Sequence, residues 1–312
     1  FMMLLAPEWL QKQTIDLKMA GYLREIGEHK GRAEMYGIHV LDAMESLRLV
    51  SAEHSAAAAC RLERNETSIE QANYQRLVLE IQDSAIKLPL DATTIINIHA
   101  ELFRDSGRES DGFRSTSVST AIDLLCRNYV AQEAATESLL LIGAFVLDFL
   151  HIQPFETANV RTALLIALWL MIRRGYTMSR FVSMERGLEK QKNEFQAALR
   201  QASTEWGEAS FNITLWWSCW LEIILLLYRE ADVRAGVLSG RRGVKTNMVL
   251  SLIDSMQGDF SIRQIQQRTP ECGIELIRKI LKEQKAAGTV KCMGRGPNAL
   301  WRKRKTRAAS VI

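Results

Sequence analysis

The chain has 312 residues, of which 47% are hydrophobic and 24% are charged, with 18 glycines and 5 prolines. This composition excludes collagen-like, low-complexity and disulfide-framework proteins, and the length suits roughly two domains of ordinary size. Its five cysteines form no C-x-x-C pair, which favours reduced thiols and predicts a cytoplasmic protein. The longest apolar stretch, residues 215–228, is shorter than the ~20 residues of a membrane span, so we expect a soluble protein without membrane contact.

The charge is distributed unevenly along the chain. Residues 241–312 carry 16 Lys and Arg against 5 Asp and Glu, a net charge of +11, whereas residues 1–240 carry a net charge of −7. Such asymmetry indicates a basic C-terminal module, with nucleic acid as the first candidate partner.

Residues 8–232 are predicted to form one helix after another. Prolines are rare there, and apolar residues recur at three- and four-residue steps, as at Ile38, Leu41 and Met44. Residues 105–120 contain two glycines and a run of Ser and Thr, which predicts a loop or a short hairpin. A Gly-rich basic stretch around residues 235–245 predicts a linker.

After this linker the pattern predicts three short helices and a hairpin. Ser261 is placed to cap the second helix, and Gly288 ends the third. The helices span residues 246–256, 262–268 and 274–287, and the two strands span residues 289–293 and 299–302. Three helices followed by a two-stranded hairpin are typical of a winged helix-turn-helix.

The loop between two apolar helices in residues 147–176 is the most informative segment. The second helix begins near Asn159, and its first backbone N–H groups have no helical partner, so they form an anion site. Arg161 lies in the first turn, where its guanidinium can clamp a phosphate, and Asn159 can either cap the helix or hold the loop. The alternative is a capped helix with a solvent-facing arginine.

The loop Gln153-Pro-Phe-Glu-Thr-Ala-Asn-Val-Arg161 resembles the signature HPFx[D/E]GN[G/K]R of the Fic (Fic/Doc) family. Two further segments are similar to family features. Gly112-Phe-Arg114 resembles the sequence that precedes the target-binding flap, and Ala59-Cys-Arg-Leu-Glu63-Arg-Asn65 resembles the inhibitory helix of self-restrained members. The resemblance covers roughly residues 8–230 and implies the all-α Fido fold, with a short β-hairpin flap as an option.

The resemblance also implies a chemistry, which is the transfer of AMP or another phosphate-containing group from a nucleotide to a protein hydroxyl. It places Gln153 in the slot of the catalytic His, and Phe155, Thr157, Ala158, Asn159, Val160 and Arg161 on the nucleotide phosphates. It also implies ATP and Mg²⁺ as ligands, although the acid that would bind Mg²⁺ is Thr157, a poor ligand for a hard cation. No metal site is predicted from the residues themselves.

Several departures from the signature indicate lost or strongly impaired catalysis. An amide cannot accept the hydroxyl proton, and loss of a positioned base typically reduces the rate ~10²–10⁴-fold. The two motif glycines are Ala158 and Val160, and a β-branched residue argues against the usual backbone approach if the position needs a positive φ. The second motif arginine is Leu164.

The sequence leaves the roles of His151 and Glu63 open. His151 precedes Gln153 by two positions and is either a displaced base or a histidine packed at the end of a helix. By resemblance Glu63 regulates the site by pairing with the second motif arginine. Because Leu164 removes that partner, Glu63 either turns to Arg161 or is a helix-surface carboxylate.

In a winged helix the third helix enters the major groove and the wing contacts the backbone or minor groove. The cations that would contact nucleic acid are Arg278, Lys279 and Lys282 on the helix and Arg295 in the hairpin. The alternative for this module is packing against a neighbouring domain or dimerisation.

The predicted organisation is N-terminal helices over 1–85, a Fic-like core over 86–235, a linker over 236–245, an α+β winged helix over 246–305 and a tail over 306–312. The leading hypothesis is a nucleotide-sensing or DNA-binding regulator with an unknown target protein. Two other functions stay open: an active Fic transferase with an altered donor or base, and a protein-interaction scaffold. A homodimer also stays open.

Overall fold

The computed structural model forms two compact units, residues 1–231 and residues 232–312. It describes residues 5–34, 38–63, 67–84, 88–108, 112–205, 211–238, 244–256, 258–270, 272–294, 296 and 299–303. Within these ranges, no helix combines the length and the apolar character that crossing a membrane requires.

The first unit is helical, as the periodicity predicts. Its helices are α1 (Pro7–Leu10), α2 (Leu17–Glu34), α3 (Ile38–Glu63), α4 (Ser68–Ser84), α5 (Ala92–Leu102), α6 (Thr116–Gln132), α7 (Ser138–Ile152), α8 (Asn159–Arg173), a 3₁₀ turn (Thr177–Phe181), α9 (Met184–Lys190), α10 (Lys192–Glu205) and α11 (Thr214–Leu238), whose last seven residues belong to the second unit. Polar residues cap several of these helices: the side chain of Asp91 accepts the N–H of Thr94, and that of Ser115 accepts the N–H of Val118.

Two central helices, α7 and α8, pack against each other and are apolar on nearly every side, as expected for helices surrounded by protein. The indole N–H groups of Trp216, Trp217 and Trp220 on α11 donate to carbonyls of α7 at 2.7–3.0 Å. Helices α3, α4 and α5 also pack on α8. The end of α3 and the beginning of α4 therefore meet the beginning of α8, where the candidate site lies.

The second unit contains α12 (Val244–Ser255), β1 (Asp259–Ser261), α13 (Ile262–Arg268), α14 (Ile274–Ala286), β2 (Val290–Met293) and β3 (Leu300–Lys303). The strands form an antiparallel sheet in the order β1-β3-β2, in which Trp301 pairs with both Phe260 and Cys292. These elements enclose their own core, in which Val249, Ile265 and Ile277 are fully buried. Ser261 caps α13, as predicted, and it does so in a reciprocal capping box with Gln264, which was not predicted from the sequence.

The structure resolves or corrects the sequence prediction at three places. Of the two alternatives for residues 105–120, the described residues show the loop and not the hairpin: none of 105–108 and 112–120 forms a strand, and the loop ends where α6 begins at Thr116. The predicted linker 236–245 is helical at both ends, because α11 continues to Leu238 and α12 begins at Val244. Strand β1 was not expected, since three residues carry too little alternation to indicate a strand.

Candidate functional site

The loop between α7 and α8 is bounded by two residues in the left-handed conformation. Gln153 has φ 45° and ψ 65° and ends α7, and its N–H donates to the carbonyl of Phe149 at 3.0 Å. Ala158 has φ 60° and ψ 24° and precedes α8. Neither is glycine, so each residue has a steric cost of roughly 1–2 kcal/mol in this region. The packing around the loop must offset that cost.

Asn159 holds the loop and does not cap α8. Its Oδ1 accepts the backbone N–H of Phe155 at 3.0 Å, and its Nδ2 donates to the carbonyl of Phe155 at 2.8 Å. The amide thus satisfies both polar groups of one loop residue. This settles the choice that the sequence left open.

The first turn of α8 contacts a carboxylate. Glu63 Oε1 accepts the backbone N–H of Val160 at 2.8 Å and, more weakly, that of Arg161 at 3.4 Å. An anion therefore lies where the unpaired N–H groups and the helix dipole favour negative charge. Val160 is an ordinary helical residue with negative φ, so its β-branched side chain does not prevent the approach of an anion to its N–H.

Arg161 is completely buried between two glutamates. Its Nε donates to Glu63 Oε2 at 2.7 Å, and its Nη1 donates to Glu70 Oε2 at 2.8 Å. Burial alone lowers the pKa of a guanidinium, but the two carboxylates raise the pKa of Arg161 above its usual value. Its Nη2 is buried without a hydrogen-bond partner. The alternative of a solvent-facing arginine is wrong.

Glu70 extends the network to a second arginine. The Glu70 side chain is fully buried, and its Oε1 accepts from Arg108 Nη1 at 3.2 Å. Arg108 Nη2 donates to Thr157 Oγ1 at 3.3 Å, and the guanidinium lies 4.9 Å from the ring centre of Phe103. Glu63, Arg161, Glu70, Arg108 and Thr157 therefore form one connected chain of polar contacts.

Aromatic side chains pack against the loop at Phe155. The ring of Phe155 stacks on that of His99 at 3.6 Å between centroids, and Phe113 lies 5.3 Å from Phe155. His99 Nε2 contacts the carbonyl oxygen of Thr157 at 3.1 Å. This packing fixes the backbone at Phe155 and Thr157.

The segment Gly112–Arg114, expected to precede a flap, lies along the loop. The backbone N–H of Arg114 donates to the carbonyl of Pro154 at 3.0 Å, and its Nη2 donates to the carbonyl of Ile152 at 3.0 Å. Arg114 therefore satisfies a carbonyl at the C-terminal end of α7. Gly112 is exposed, and a Cβ added there would meet no atom within 4 Å.

At the position of the expected base, the side chain of Gln153 is exposed to solvent. His151 remains on α7, where its Nδ1 contacts the carbonyl oxygen of Leu147 at 2.8 Å. Burial lowers the pKa of His151. Its position is that of a histidine packed at a helix end, the second of the two alternatives from the sequence.

The residues around Thr157 do not fit a magnesium ion. Magnesium requires several oxygen ligands, usually carboxylate or phosphate, in octahedral geometry. Thr157 is neutral, and its hydroxyl accepts from a guanidinium. In the part of the chain that the structure describes, no three His, Cys, Asp or Glu side chains are grouped to hold a metal.

The second unit presents cations on α14. Arg278, Lys279 and Lys282 are exposed, and Arg278 pairs with Glu275 on the same helix at 2.6 Å. Arg295 lies outside the described residues. On strand β3, Arg302 forms a two-pronged pair with Asp259, and Lys303 donates to the carbonyl of Asp254.

Sequence reasoning missed Glu70, Arg108 and His99. Residues 67–70, Thr-Ser-Ile-Glu, have the pattern of a capping box, and Thr67 does accept the N–H of Glu70 at 3.2 Å. Glu70 nevertheless directs its carboxylate to the two arginines. Only the packing of both α4 and α5 against α8 brings these groups together.

Comparisons with known proteins agree with this architecture. Residues 89–171 match the model of the Fic/DOC family. The structure resembles a Fic family protein from Desulfovibrio desulfuricans G20 with a TM-score of 0.54 and 16% identity, covering 95% of this chain and 98% of that one. It also resembles a Fic domain containing signaling protein from Bacteroides thetaiotaomicron VPI-5482, with a TM-score of 0.53 and 13% identity, covering 70% of this chain and 98% of that one.

No curated protein matches the chain. At these identities the two structural neighbours establish the fold alone. The family match covers α5 to α7 and all but the last two residues of α8, and therefore includes the loop, Asn159 and Arg161. Residues 89–171 of this chain are thus a Fic/DOC family domain.

Proposed function

We propose that this protein is a regulator whose Fic domain binds a phosphate-bearing nucleotide, ATP being the first candidate, with its transferase chemistry lost or strongly impaired. A second, C-terminal module binds DNA. Glu63 restrains the nucleotide site by occupying it.

One observation supports this proposal most strongly: the Glu63 carboxylate accepts hydrogen bonds from the backbone N–H of Val160 and from Arg161 Nε. Backbone N–H groups at a helix start together with a guanidinium are also the donors that bind phosphate. A carboxylate has two oxygens, and Arg161 Nη2 is left without a partner. A phosphate group, with three oxygens, can use this additional donor.

The impaired chemistry follows from Gln153. A carboxamide has no basic group of suitable pKa, so it cannot take a proton from an attacking hydroxyl. His151 does not replace it, because its Nδ1 contacts the α7 carbonyl of Leu147. Binding without efficient transfer is the property expected of a nucleotide sensor.

Calorimetric titration of ATP into the full-length protein and two variants tests this assignment. Glu63→Ala removes the competing carboxylate and leaves Arg161 paired with Glu70, so we expect affinity to rise about 10–100-fold, the value of one or two charge-assisted hydrogen bonds. Adding Arg161→Lys, which keeps the charge but loses the planar fork, should reverse the gain. Glu53→Ala, at an exposed position of the same helix, is the matched control and should leave ATP affinity unchanged.

The same variants discriminate the competing functions. Label from ATP incorporated into protein by Glu63→Ala, and abolished by Arg161→Lys, would support an active transferase with another base. Absence of nucleotide binding in every variant would leave an interaction scaffold. The proposal predicts binding with no incorporation above that of the Arg161→Lys variant.

The DNA-binding proposal rests on α14 and on the order of elements in the second unit. Helices α12, α13 and α14 followed by β2 and β3 have the order of a winged helix-turn-helix, in which the third helix enters the major groove. The exposed side of α14 carries Arg278, Lys279 and Lys282. Arg302 and Lys303 are held by the unit's own polar groups, so α14 supplies the main contacts among the described residues.

Fluorescence anisotropy with a labelled duplex at several salt concentrations tests this module. Each phosphate contact contributes about 0.9 to the slope of log K against log salt. Lys279→Gln with Lys282→Gln should therefore weaken binding and flatten the slope by roughly 2. Lys12→Gln with Lys190→Gln, at exposed positions of the first unit, should change neither. Equal effects of the two pairs would contradict a DNA-binding α14.

A further inference from the structure

We propose that Arg108 supplies the second positive charge of the nucleotide site, so that this site binds phosphate without a divalent cation. This inference rests on the proposed function, because it assumes that phosphate replaces Glu63 on Arg161. It concerns Arg108, a residue outside the signature loop.

The Arg108 guanidinium lies beside the loop position at which a metal-binding acid is expected. Its Nη2 donates to the hydroxyl of Thr157, the loop position at which the resemblance implies a metal-binding acid. A divalent cation beside this guanidinium would face an existing positive charge. The guanidinium therefore takes the electrostatic role of a cation on this side of the loop.

Buried neighbours hold the Arg108 guanidinium in place. Nη1 is held by the buried Glu70, and the planar group lies over the ring of Phe103. Even so, 40% of the side chain is exposed, in contrast to the completely buried Arg161. Arg108 is thus fixed on its inner side and open on its outer side, as a phosphate-binding arginine has to be.

Glu70 sets the geometry between the two arginines. One carboxylate oxygen holds Arg108 and the other holds Arg161, at 3.2 and 2.8 Å. Both guanidinium groups also lie over Phe103, at 4.9 and 5.6 Å from its centre. The two cations therefore form a rigid pair, although Leu164 removes the second arginine of the signature.

The charges of Arg108, Arg161, Glu63 and Glu70 support a phosphate-binding role for Arg108. With Glu63 in place, two arginines face two glutamates and the cluster is neutral. When Glu63 leaves, two arginines and the one remaining Glu70 carry a net positive charge. The cluster then attracts a phosphate group through its own side chains.

Calorimetric titrations of ATP and of inorganic pyrophosphate, each in EDTA and in Mg²⁺, test the inference in the full-length Glu63→Ala protein. We expect both ligands to bind in EDTA with an affinity within about threefold of that in Mg²⁺. Adding Arg108→Gln should weaken binding in EDTA about 10–100-fold, the loss of charge-assisted hydrogen bonds. Arg108→Lys, which keeps the charge, should lose less.

Arg104→Gln is the matched control, because Arg104 is exposed four residues earlier and pairs with Glu101. It should leave binding in EDTA unchanged. Binding that requires Mg²⁺, or that Arg108→Gln leaves intact, would overturn the inference and leave the proposed function standing. No binding by Glu63→Ala in either buffer would contradict the proposed function, and this inference with it.

Discussion

The carboxylate of Glu63 accepts the backbone N–H of Val160 at 2.8 Å, although 97 positions separate the two residues. Glu63 is the last residue of α3, and Val160 lies in the first turn of α8. The helix start would otherwise leave this N–H unpaired in a largely buried region. One contact therefore completes the fold around α8 and also fills the anion site.

Glu70 is predicted to be important for stability. Glu70→Gln leaves two arginines near a neutral amide, and breaking a buried ion pair in this way costs about 3–5 kcal/mol. Urea unfolding followed by tryptophan fluorescence measures this loss, since six of the seven tryptophans lie in residues 1–231. Glu80→Gln, which removes an exposed pair with Arg76 on the same helix, should cost less than about 1 kcal/mol. Similar losses for the two variants would contradict a buried network.

Ala158→Gly is predicted to stabilise the protein. Ala158 has φ 60°, a conformation that glycine adopts without steric cost, although glycine also loses more entropy on folding. Because the Ala158 methyl is buried and its loss costs about 0.8 kcal/mol, relief of roughly 1–2 kcal/mol of strain leaves a net gain of at most about 0.5 kcal/mol in the free energy of unfolding. Ala163→Gly, the same substitution in the interior of α8, should instead destabilise by about 1 kcal/mol. Because both methyls are buried, equal destabilisation by the two variants would show that Ala158 is not strained.

Asn159→Asp tests how the loop is held. The substitution replaces the Nδ2 donor by an oxygen that faces the carbonyl oxygen of Phe155, so we expect a loss of about 1–3 kcal/mol. ATP affinity of the Glu63→Ala protein should fall as well, because Asn159 fixes the loop beside Val160. The control is Asn97→Asp, an exposed position on α5. An unchanged unfolding midpoint in Asn159→Asp would exclude the proposed role.

His151 should make stability depend on pH. Burial lowers its pKa in the folded state, so the unfolded chain, with a histidine pKa of about 6.5, binds the proton more readily. The contribution of His151 to stability is therefore present above about pH 6.5 and is lost as the pH falls through the lowered folded pKa. His151→Gln should show a smaller decrease in unfolding free energy between about pH 7.5 and 5.5. Parallel pH curves for the two proteins would contradict this.

Local patterns were sufficient to predict the helices and the start of α8, because apolar spacing and helix ends depend on neighbouring residues. They also identified Arg161 and Asn159, which lie beside the loop in sequence. The Glu70 and Arg108 contacts could not be predicted, because nothing local brings α4 and the residues after α5 to Thr157. The capping-box pattern of residues 67–70 even favours a different role for Glu70.

The separate core of the second unit, formed around Val249, Ile265 and Ile277, has a practical consequence. A fragment that retains these elements contains the side chains that bury one another, so we expect it to fold without residues 1–231. Nucleotide occupancy and DNA affinity can then be measured on different polypeptides and compared with the intact chain. A change in DNA affinity on adding nucleotide to the intact protein, absent when the same nucleotide is added to the fragment, would measure communication between the two units.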